Sequence, residues 1–430
     1  MSRHGMVRAV DTHFEYEDGT LFWPFGTTVY ALAHQKQELI EETFKSLSES
    51  PFNKVRMCVF PKHYQYNNNE PDFYPFEKSG DGWDVQKPVE SFWKHLEGII
   101  ERLDSMEIQC DLILFHPYDN WGFSDFSLED DLKYLDYVIK RLGHLDNIWW
   151  SMANEYDLLL AKKPISHWEA VEEFIAANDI RHHLLSNHNC FKIWSPSRKN
   201  ITHGSFQTKR MPDLAGAISH FKKPIIDDEC CYEGDLPEYW GSISGQEMTS
   251  RFWQAIVSGS YCTHGETFLD PVNEIVWWSK GGRLKGQSVQ RIAFLKNIVE
   301  ELPGPIEATD SMKAMLDNMT EEERLNIERS KLFESFKIAT SMLTPEQMHM
   351  HTYAEYCYLG HCGEQVFLEY FFMRCSKKGV INLPLNKKYR LELIDTWNMT
   401  RETIMENASG IVEYSRPPRE YMALMATVMD

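Results

Sequence analysis

Two glutamates at the ends of apolar segments are the residues of this chain best suited to chemistry. Glu155 follows the run Ile148–Ala153, with only Asn154 between them, and Glu229 closes the run that begins at Pro224. Runs of β-branched, aromatic and aliphatic residues are typical of strands buried on both faces. In a parallel α/β barrel, strands deliver catalytic side chains into the loops at their carboxyl ends. We therefore expect both carboxylates at one rim.

A pair of carboxylates above one pocket can hydrolyse an acetal. Like-charge repulsion and desolvation separate the two pKa values, so that one group stays protonated while the other is ionised. The protonated group donates to the leaving oxygen, and the ionised group stabilises or attacks the cationic sugar carbon. The alternative for Glu155 is a surface position in the first turn of a helix, where acidic residues are favoured.

Composition limits the classes of partner. The 430 residues carry a net charge of −20 without a compensating basic block, which argues against binding nucleic acid or an anionic membrane. Hydrophobic residues make up 43% and charged residues 25%, as in globular proteins. A neutral substrate is indifferent to the charge, and the 13 tryptophans can stack on sugar rings as well as fill a core.

The cysteines and the hydropathy pattern bear on location. The nine cysteines include no CxxC pair, so we expect reduced thiols rather than a disulfide framework. The first residues lack an apolar signal segment, and no later window is long enough to span a bilayer. These features predict a cytoplasmic protein.

The elements needed to position the glutamates alternate along residues 21–302. Strand candidates separated by helical periodicity predict an α/β fold, a (β/α)₈ TIM barrel. Glu155 ends the fourth candidate and Glu229 the seventh, which places them on strands across the barrel mouth from each other. The candidates are Leu21–Thr28, Val55–Phe60, Cys110–Phe115, Ile148–Ala153, Leu184–Ser186, Ile201–Phe206, Pro224–Glu229 and Tyr261–Glu266.

We divide the chain into a catalytic barrel at 1–305, a helical insertion or linker at 306–350, and a small antiparallel β-sandwich domain at 351–430. The last part is predicted from alternating apolar and polar residues between Gly, Asn and Pro. Its apolar strands would support a homo-oligomer. Within the barrel, the irregular aromatic segment 61–89 predicts a binding loop.

The residues around the two glutamates resemble a known family. Ala153-Asn154-Glu155 and the glutamate that ends the seventh strand resemble the clan A retaining glycoside hydrolases, the family 5-like barrels. The segments 224–234 (PIIDDECCYEG), 264–268 (HGETF) and 277–282 (WWSKGG) are similar to a bacterial branch, the apiosidase-like glycosidases. The resemblance covers roughly residues 10–302, and the tail resembles the small β domain of that branch.

The resemblance implies a mechanism. Glu155 would be the general acid/base and Glu229 the nucleophile, and β-type O-glycosidic bonds of small oligosaccharides or glycosides would be cleaved by double displacement with retention of configuration. It also implies that Asn154 binds the sugar 2-hydroxyl and that Arg56 hydrogen-bonds Glu229 and keeps it ionised. For Arg56 a buried ion pair between strands is an equal alternative.

Other side chains near the predicted strand ends are candidates for binding sugar hydroxyls or rings. A single histidine at such a place is usually packed and hydrogen-bonded, but three at one rim favour substrate contacts. Asp228 should point away from Glu229 by alternation. Trp277 and Trp278 would form either an aromatic wall or a contact with the C-terminal module. The substrate-binding candidates are His116, His188, His203, Glu266, Trp277 and Trp278.

Two other functions compete with a glycosidase. A metal-dependent barrel hydrolase needs closely spaced ligands, typically His-x-His, on the first strand. The only such triplet, His349-Met350-His351, lies outside the barrel. A catalytically silent sugar-binding barrel would not need both glutamates. We therefore predict a carbohydrate substrate and neither a metal nor a cofactor.

Overall fold

The computed structural model describes residues 4–269, 276–309, 321–351 and 358–429. It confirms the TIM-like barrel, since eight parallel strands form one sheet in the order β5-β4-β3-β2-β1-β8-β7-β6. The strands are β1 (Phe25–Thr28), β2 (Lys54–Cys58), β3 (Gln109–Phe115), β4 (Ile148–Ala153), β5 (Leu184–Ser186), β6 (Gly204–Phe206), β7 (Ile225–Asp227) and β8 (Tyr261–His264).

The barrel is nearly closed, and its seam lies between β5 and β6 at the two ends of the sheet. One residue bridges that seam. The backbone N–H of Thr202 donates to the carbonyl of Leu185 at 2.9 Å, and the Thr202 hydroxyl accepts from the Leu185 N–H at 2.8 Å. The main chain and the hydroxyl of Thr202 thus supply two hydrogen bonds across the seam, where β5 and β6 do not pair as strands.

Helices cover the outside of the barrel because their apolar residues recur every three or four positions. In Glu90–Ser105, for example, Phe92, Leu96, Ile99 and Leu103 are all buried. The segment 187–203 between β5 and β6 is a loop rather than a helix. The longer helices described in the barrel are Gln37–Ser48, Glu90–Ser105, Leu128–Leu142, Ile165–Asn178, Pro212–Phe221, Gly245–Val257 and Ser288–Glu300.

Two predicted segments differ in the structure. The first predicted strand is divided, because Leu21–Phe22 pairs with His13–Tyr16 in a separate sheet, and β1 starts only after Pro24. The segment 61–89 is not wholly irregular, since Phe76–Ser79 and Gly82–Pro88 form a hairpin. Its Tyr- and Pro-rich composition concealed this short pairing.

The N-terminal sheet of Val7–Val10, His13–Tyr16 and Leu21–Phe22 closes the amino end of the barrel. Phe14 is fully buried, and its ring centroid lies 5.1 Å from that of Trp149 near the start of β4 and 5.4 Å from that of Tyr261 at the start of β8. These buried apolar side chains separate the barrel interior from solvent at its amino end.

The barrel interior contains paired charges. Lys54 Nζ lies 2.8 Å from Asp111 and 2.7 Å from Asp228, and Arg56 Nε lies 3.3 Å and 3.8 Å from the same two carboxylates. All four side chains are inaccessible to solvent. Burial of charges is tolerated when they are paired in this way.

The position of Asp228 corrects a prediction. Asp228 faces the barrel interior, where Ser205 and Thr263 also donate to it at 2.6 and 2.7 Å. Alternation predicted the opposite face, but β7 has already ended at Asp227. It is Asp227 that accepts from the backbone of Thr208 and lies near Arg251.

Residues from Glu301 onward, with Ile256–Gly259, form a second compact unit. Its six-stranded sheet consists of Glu307–Ala308, Tyr358–Cys362, Val366–Tyr370, Met422–Val428, Tyr389–Asp395 and Thr400–Ala408, and Lys378–Leu383 pairs with Gly410–Ser415 in a second sheet. Adjacent strands in both sheets are antiparallel. The sheets share one apolar core that includes Leu391, Leu424, Ile381 and Val412, as expected for a small antiparallel β domain.

The segment between the two predicted domains contains the helices Glu321–Arg329, Lys331–Ser341 and Pro345–His351. Residues 310–320 and 352–357 lie outside the described residues, and with them the start of the β domain predicted at 351–430. The domain boundaries at 305 and 350 remain predictions. Among the described helices, none has the length and hydropathy needed to cross a bilayer.

We expect the variant Asp228→Ala to unfold more easily, because Lys54 and Arg56 then share Asp111 as their close carboxylate partner, with Glu229 3.9 Å from Arg56. Breaking a buried ion pair on one side costs about 3–5 kcal/mol. Denaturation in urea, followed by far-UV circular dichroism, measures the free energy of unfolding. The control is Glu41→Ala, which removes the surface partner of Arg102 and should change little; an equally small effect for Asp228→Ala would contradict the proposed role of the interior charges.

Candidate active site

Glu155 lies two residues beyond β4 and is 5% exposed. Its backbone has a left-handed φ of 50°, unusual for a residue with a side chain, and its N–H donates to His188 Nδ1 at 3.3 Å. The Tyr118 hydroxyl donates to Oε2, and the Asn154 amide lies 3.4 Å from the same oxygen. With its side-chain oxygen and nitrogen exchanged, the orientation that satisfies its hydrogen-bond partners, the Gln207 amide donates to Oε1 at 3.1 Å.

Glu229 lies two residues beyond β7. The hydroxyl of Tyr30 lies between Glu229 Oε1, to which it donates, and Asn154 Oδ1 at 2.9 Å. Because Asn154 also contacts Glu155, a continuous polar chain Glu155–Asn154–Tyr30–Glu229 connects the two carboxylates. The structure therefore brings the two predicted catalytic residues and Asn154 into one site.

Arg56 approaches Glu229 as an ion pair. Its NH1 lies 3.9 Å from Glu229 Oε1, which is longer than a hydrogen bond, so the predicted hydrogen bond is not observed. The guanidinium is instead shared with Asp111 and Asp228, as in the ion-pair alternative. It still places positive charge beside the carboxylate.

The pKa of Glu229 is strongly perturbed. Burial and then the negative charge of Glu155 raise it from the usual value to about 7, while Arg56, Lys62 and the hydrogen bond from Tyr30 oppose the rise. A carboxyl group with such a pKa can hold or release a proton near neutrality. This is the behaviour expected of a catalytic carboxylate pair.

The three predicted histidines occupy different places. His188 is buried below Glu155, and His116 Nε2 contacts the Phe60 carbonyl at 3.1 Å. Burial lowers the pKa of His188, and it lowers that of His116 to about 4, so both stay neutral. His203 does not lie at the carboxyl rim, since it precedes β6 and packs against Phe14 and Trp149 at the amino end.

Within the described residues, Glu266 makes no hydrogen bond to Glu155 or Glu229. Its oxygens accept the backbone N–H groups of Lys285 and Gly286 at 2.5 and 2.8 Å. Nearby, Glu233 accepts the N–H groups of Gln287 and Ser288. Together these acids fix the entrance to helix Ser288–Glu300, which is a structural role.

The two tryptophans also differ. Trp278 packs against Tyr30 with centroids 5.6 Å apart, and against Trp240 at 5.1 Å. It thus belongs to an aromatic wall beside Glu229, to which Tyr64 and Tyr232 also contribute. Trp277 is buried and donates from Nε1 to Thr27 at 2.9 Å, so its position is explained by packing.

A second acid after β4 shapes the rim. Asp157 accepts the backbone N–H groups of Cys190, Phe191 and Lys192, each at 2.7 Å. The loop after β5 is thereby pinned next to Glu155, and it presents Phe191 with 84% of its surface exposed.

Sequence reasoning missed four residues of the site: Tyr30, Lys62, Tyr118 and Gln207. Tyr30 lies two residues beyond β1 and Tyr118 three residues beyond β3, at the same level as the glutamates beyond β4 and β7. Polar side chains two or three residues past each strand end were a usable signal. Gln207 directly follows β6, and Lys62 lies four residues beyond β2, so neither matched this spacing.

Comparison with known families identifies this geometry. Residues 9–304 match the family model of the apiosidase-like catalytic domain, which is more than half of the chain. The chain belongs to the apiosidase-like family. The protein is accordingly an enzyme of the glycoside hydrolase class. Residues 355–427 match a domain family of unknown function, DUF5605.

Solved structures of glycoside hydrolases share the fold of this chain. A candidate glycoside hydrolase from Bacteroides vulgatus ATCC 8482 is 32% identical and superposes with a TM-score of 0.83 over 99% of this chain and 83% of its own. A family 5 glycoside hydrolase from the same organism is 14% identical, with a TM-score of 0.72 over 99% and 94%. An endo-1,4-beta-mannanase from Rhizomucor miehei shares the fold at 13% identity, with a TM-score of 0.51 over 68% and 99%.

The comparison with curated proteins gave no match. Within the described residues of this apiosidase-like protein, no cluster of three or more His, Cys, Asp or Glu side chains has a metal-binding arrangement. The His349 and His351 side chains of the sequence triplet lie outside that description.

We expect Glu155→Gln to lower the pKa of Glu229, because the substitution removes the negative charge that raises it. Difference infrared spectroscopy of the carboxyl band across a pH titration measures this value. Glu70→Gln, at the exposed partner of Tyr74 and Trp121, is the control and should leave the titration unchanged. An unchanged or higher pKa in Glu155→Gln would show that the two carboxyl groups do not interact.

Proposed function

We propose that the protein is a retaining glycoside hydrolase that cleaves β-type O-glycosidic bonds of small oligosaccharides or glycosides by double displacement. The observation that carries this proposal is the polar chain Glu155–Asn154–Tyr30–Glu229. It links acids that follow β4 and β7 through two intervening side chains, Asn154 and Tyr30. The β preference rests on the resemblance to clan A.

In the first step, Glu229 attacks the anomeric carbon while Glu155 gives its proton to the leaving oxygen. The products are the free aglycone and a glycosyl ester of Glu229. In the second step, Glu155 removes a proton from water, the water oxygen attacks the anomeric carbon, and Glu229 leaves as a carboxylate. Asn154 is placed between the two acids, where it can bind the sugar 2-hydroxyl.

The surroundings favour this division of roles. Glu229 has the positive charges of Arg56 and Lys62 nearby, and both lower its pKa. When Glu155 carries the shared proton, its repulsion of Glu229 disappears and the pKa of Glu229 falls further. In the proposed mechanism the shared proton is on Glu155 and Glu229 is ionised, a form that the charges of Arg56 and Lys62 stabilise.

The substrate class and the location are part of the proposal. The aromatic wall around Trp278 is suited to stacking on a sugar ring, and a neutral glycoside would not be repelled by the net charge of −20. The eight cysteines of the described residues are free thiols, which supports a reducing, cytoplasmic compartment.

Glu155→Ala and Glu229→Ala should each lower the hydrolysis of a nitrophenyl β-glycoside by roughly 10²-fold or more, because each removes a group that acts in the transition state. Screening the wild-type enzyme against a panel of nitrophenyl glycosides identifies a substrate, and the rates of the variants are then measured with that substrate. Glu169→Gln, a surface glutamate near Arg198, is the matched control and should retain wild-type activity.

Azide distinguishes the two roles. With Glu229→Ala, azide should restore turnover and give a glycosyl azide of inverted configuration, whereas with Glu155→Ala it should give the retained azide. Proton NMR of the first product of the wild-type enzyme should show retention, and a chelator should not change the rate. An inverted wild-type product would rule out double displacement, and loss of activity with chelator would favour a metal-dependent hydrolase.

A further inference from the structure

Lys62 is a buried cation beside both catalytic candidates. It lies four residues beyond β2, its side chain is nearly inaccessible, and the residue is 2% exposed. Its described partners are aromatic faces: Nζ is 3.5 Å from the ring centroid of Tyr30, 4.4 Å from Tyr118, 4.9 Å from Trp278 and 5.7 Å from Tyr64. Burying an ammonium group at such a site is costly, so its presence needs an explanation.

The two nearest rings belong to the tyrosines that bind the two glutamates. Tyr30 donates to Glu229, and Tyr118 donates to Glu155. A cation over the face of a phenol ring is attracted by the ring quadrupole, and it withdraws electron density, which makes the hydroxyl a stronger donor. One ammonium group therefore acts on both carboxylates through two hydrogen bonds.

A count of charges gives Lys62 a specific task. In the barrel interior, two cations, Lys54 and Arg56, balance two anions, Asp111 and Asp228. The pair formed by Glu155 and Glu229 carries one net negative charge when it holds one proton. Burial lowers the pKa of Lys62, while the negative charges of Glu229 and Glu155 oppose that fall. The protonated Lys62 supplies one positive charge to the pair.

Arg56 also faces the pair, but its charge is shared with Asp111 and Asp228. The neighbouring histidine, tyrosine and cysteine side chains contribute no charge near neutrality. Burial lowers the pKa values of His116 and His188, so these rings are neutral. Burial likewise raises the pKa values of the phenols of Tyr30, Tyr64, Tyr118 and Tyr232. It raises those of the Cys58 and Cys190 thiols to about 12.

We propose that Lys62 is a positioning residue of the catalytic pair, which holds Tyr30 and Tyr118 against the two glutamates and balances the single negative charge that the pair carries. The inference rests on the proposed function, because it assumes that Glu155 and Glu229 act together. It assigns to the loop after β2 an electrostatic task.

The test compares Lys62→Met, which keeps a long unbranched side chain but removes the charge, with Lys62→Arg, which keeps the charge. The charge of Lys62 lowers the pKa of Glu229, and loss of a neighbouring cation raises the pKa of a carboxyl group by roughly one unit. In Lys62→Met the acid limb of the kcat/KM profile should therefore move to higher pH by about one unit. At pH values on the acid side of that limb, kcat/KM should fall about tenfold relative to the wild type. Lys62→Arg should restore most of the limb position.

The control is Lys78→Met, which removes an exposed cation from the rings of Tyr74 and Trp83 and should leave the pH profile unchanged. Infrared titration of Glu229 in Lys62→Met should show the same upward shift without reference to turnover. Tm of each variant, followed by circular dichroism, should stay close to that of the wild type, which separates an electrostatic effect on the site from a loss of the fold.

Two results would overturn the inference. If Lys62→Met loses activity or stability while the titration of Glu229 is unchanged, Lys62 only supports packing. If the loss is confined to substrates that carry a carboxylate, Lys62 is a substrate anchor. Both outcomes are distinguishable from failure of the proposed function, which would appear as an inverted product of the wild-type enzyme.

Discussion

The charge balance inside the barrel is the constraint on which the site depends. Lys54, Arg56, Asp111 and Asp228 are fully buried and mutually paired, so the interior holds four charges without a net charge. Phe14 seals this volume from the amino end. Arg56 lies at the upper limit of the network and extends its field to Glu229, which couples the interior to the rim.

Above that network, the site is built from residues just beyond the strand ends. Strands from one sheet end at similar heights, so Tyr30, Tyr118, Glu155 and Glu229 converge although they are distant in sequence. Hydrogen bonds fix their directions, and the left-handed backbone of Glu155, supported by His188, turns its carboxylate toward Asn154 and Tyr118. The low dielectric of this setting makes each charge effective over a longer distance.

Much of the fold followed from periodicity in the sequence. The number of barrel strands and most helices were predicted, because their buried faces repeat regularly. The hairpin at 76–88, the division of the first strand and three C-terminal strands (Lys378–Leu383, Thr400–Ala408 and Met422–Val428) were missed. Short or exposed strands leave a weak pattern, and pairing partners far apart in sequence leave none.

The site was predicted only in part. The positions of Glu155 and Glu229 follow from acids that close apolar strands, whereas Lys62 is brought in by a loop whose path no pattern describes. His203 was placed at the carboxyl rim because the sequence does not show where a short strand starts, and in the structure β6 begins only at Gly204. Glu266 does lie two residues beyond β8, but its oxygens bind backbone amides there, a contact that the sequence does not indicate.

The attachment of the loop after β5 has a consequence for how this enzyme can diversify. Asp157 holds that loop through the main chain of residues 190–192, so its path does not depend on which side chains those positions carry. Phe191 projects into solvent from that loop. Position 191 can therefore be substituted without disturbing the hydrogen bonds that hold the loop beside Glu155, which makes it a suitable position for natural or engineered variation.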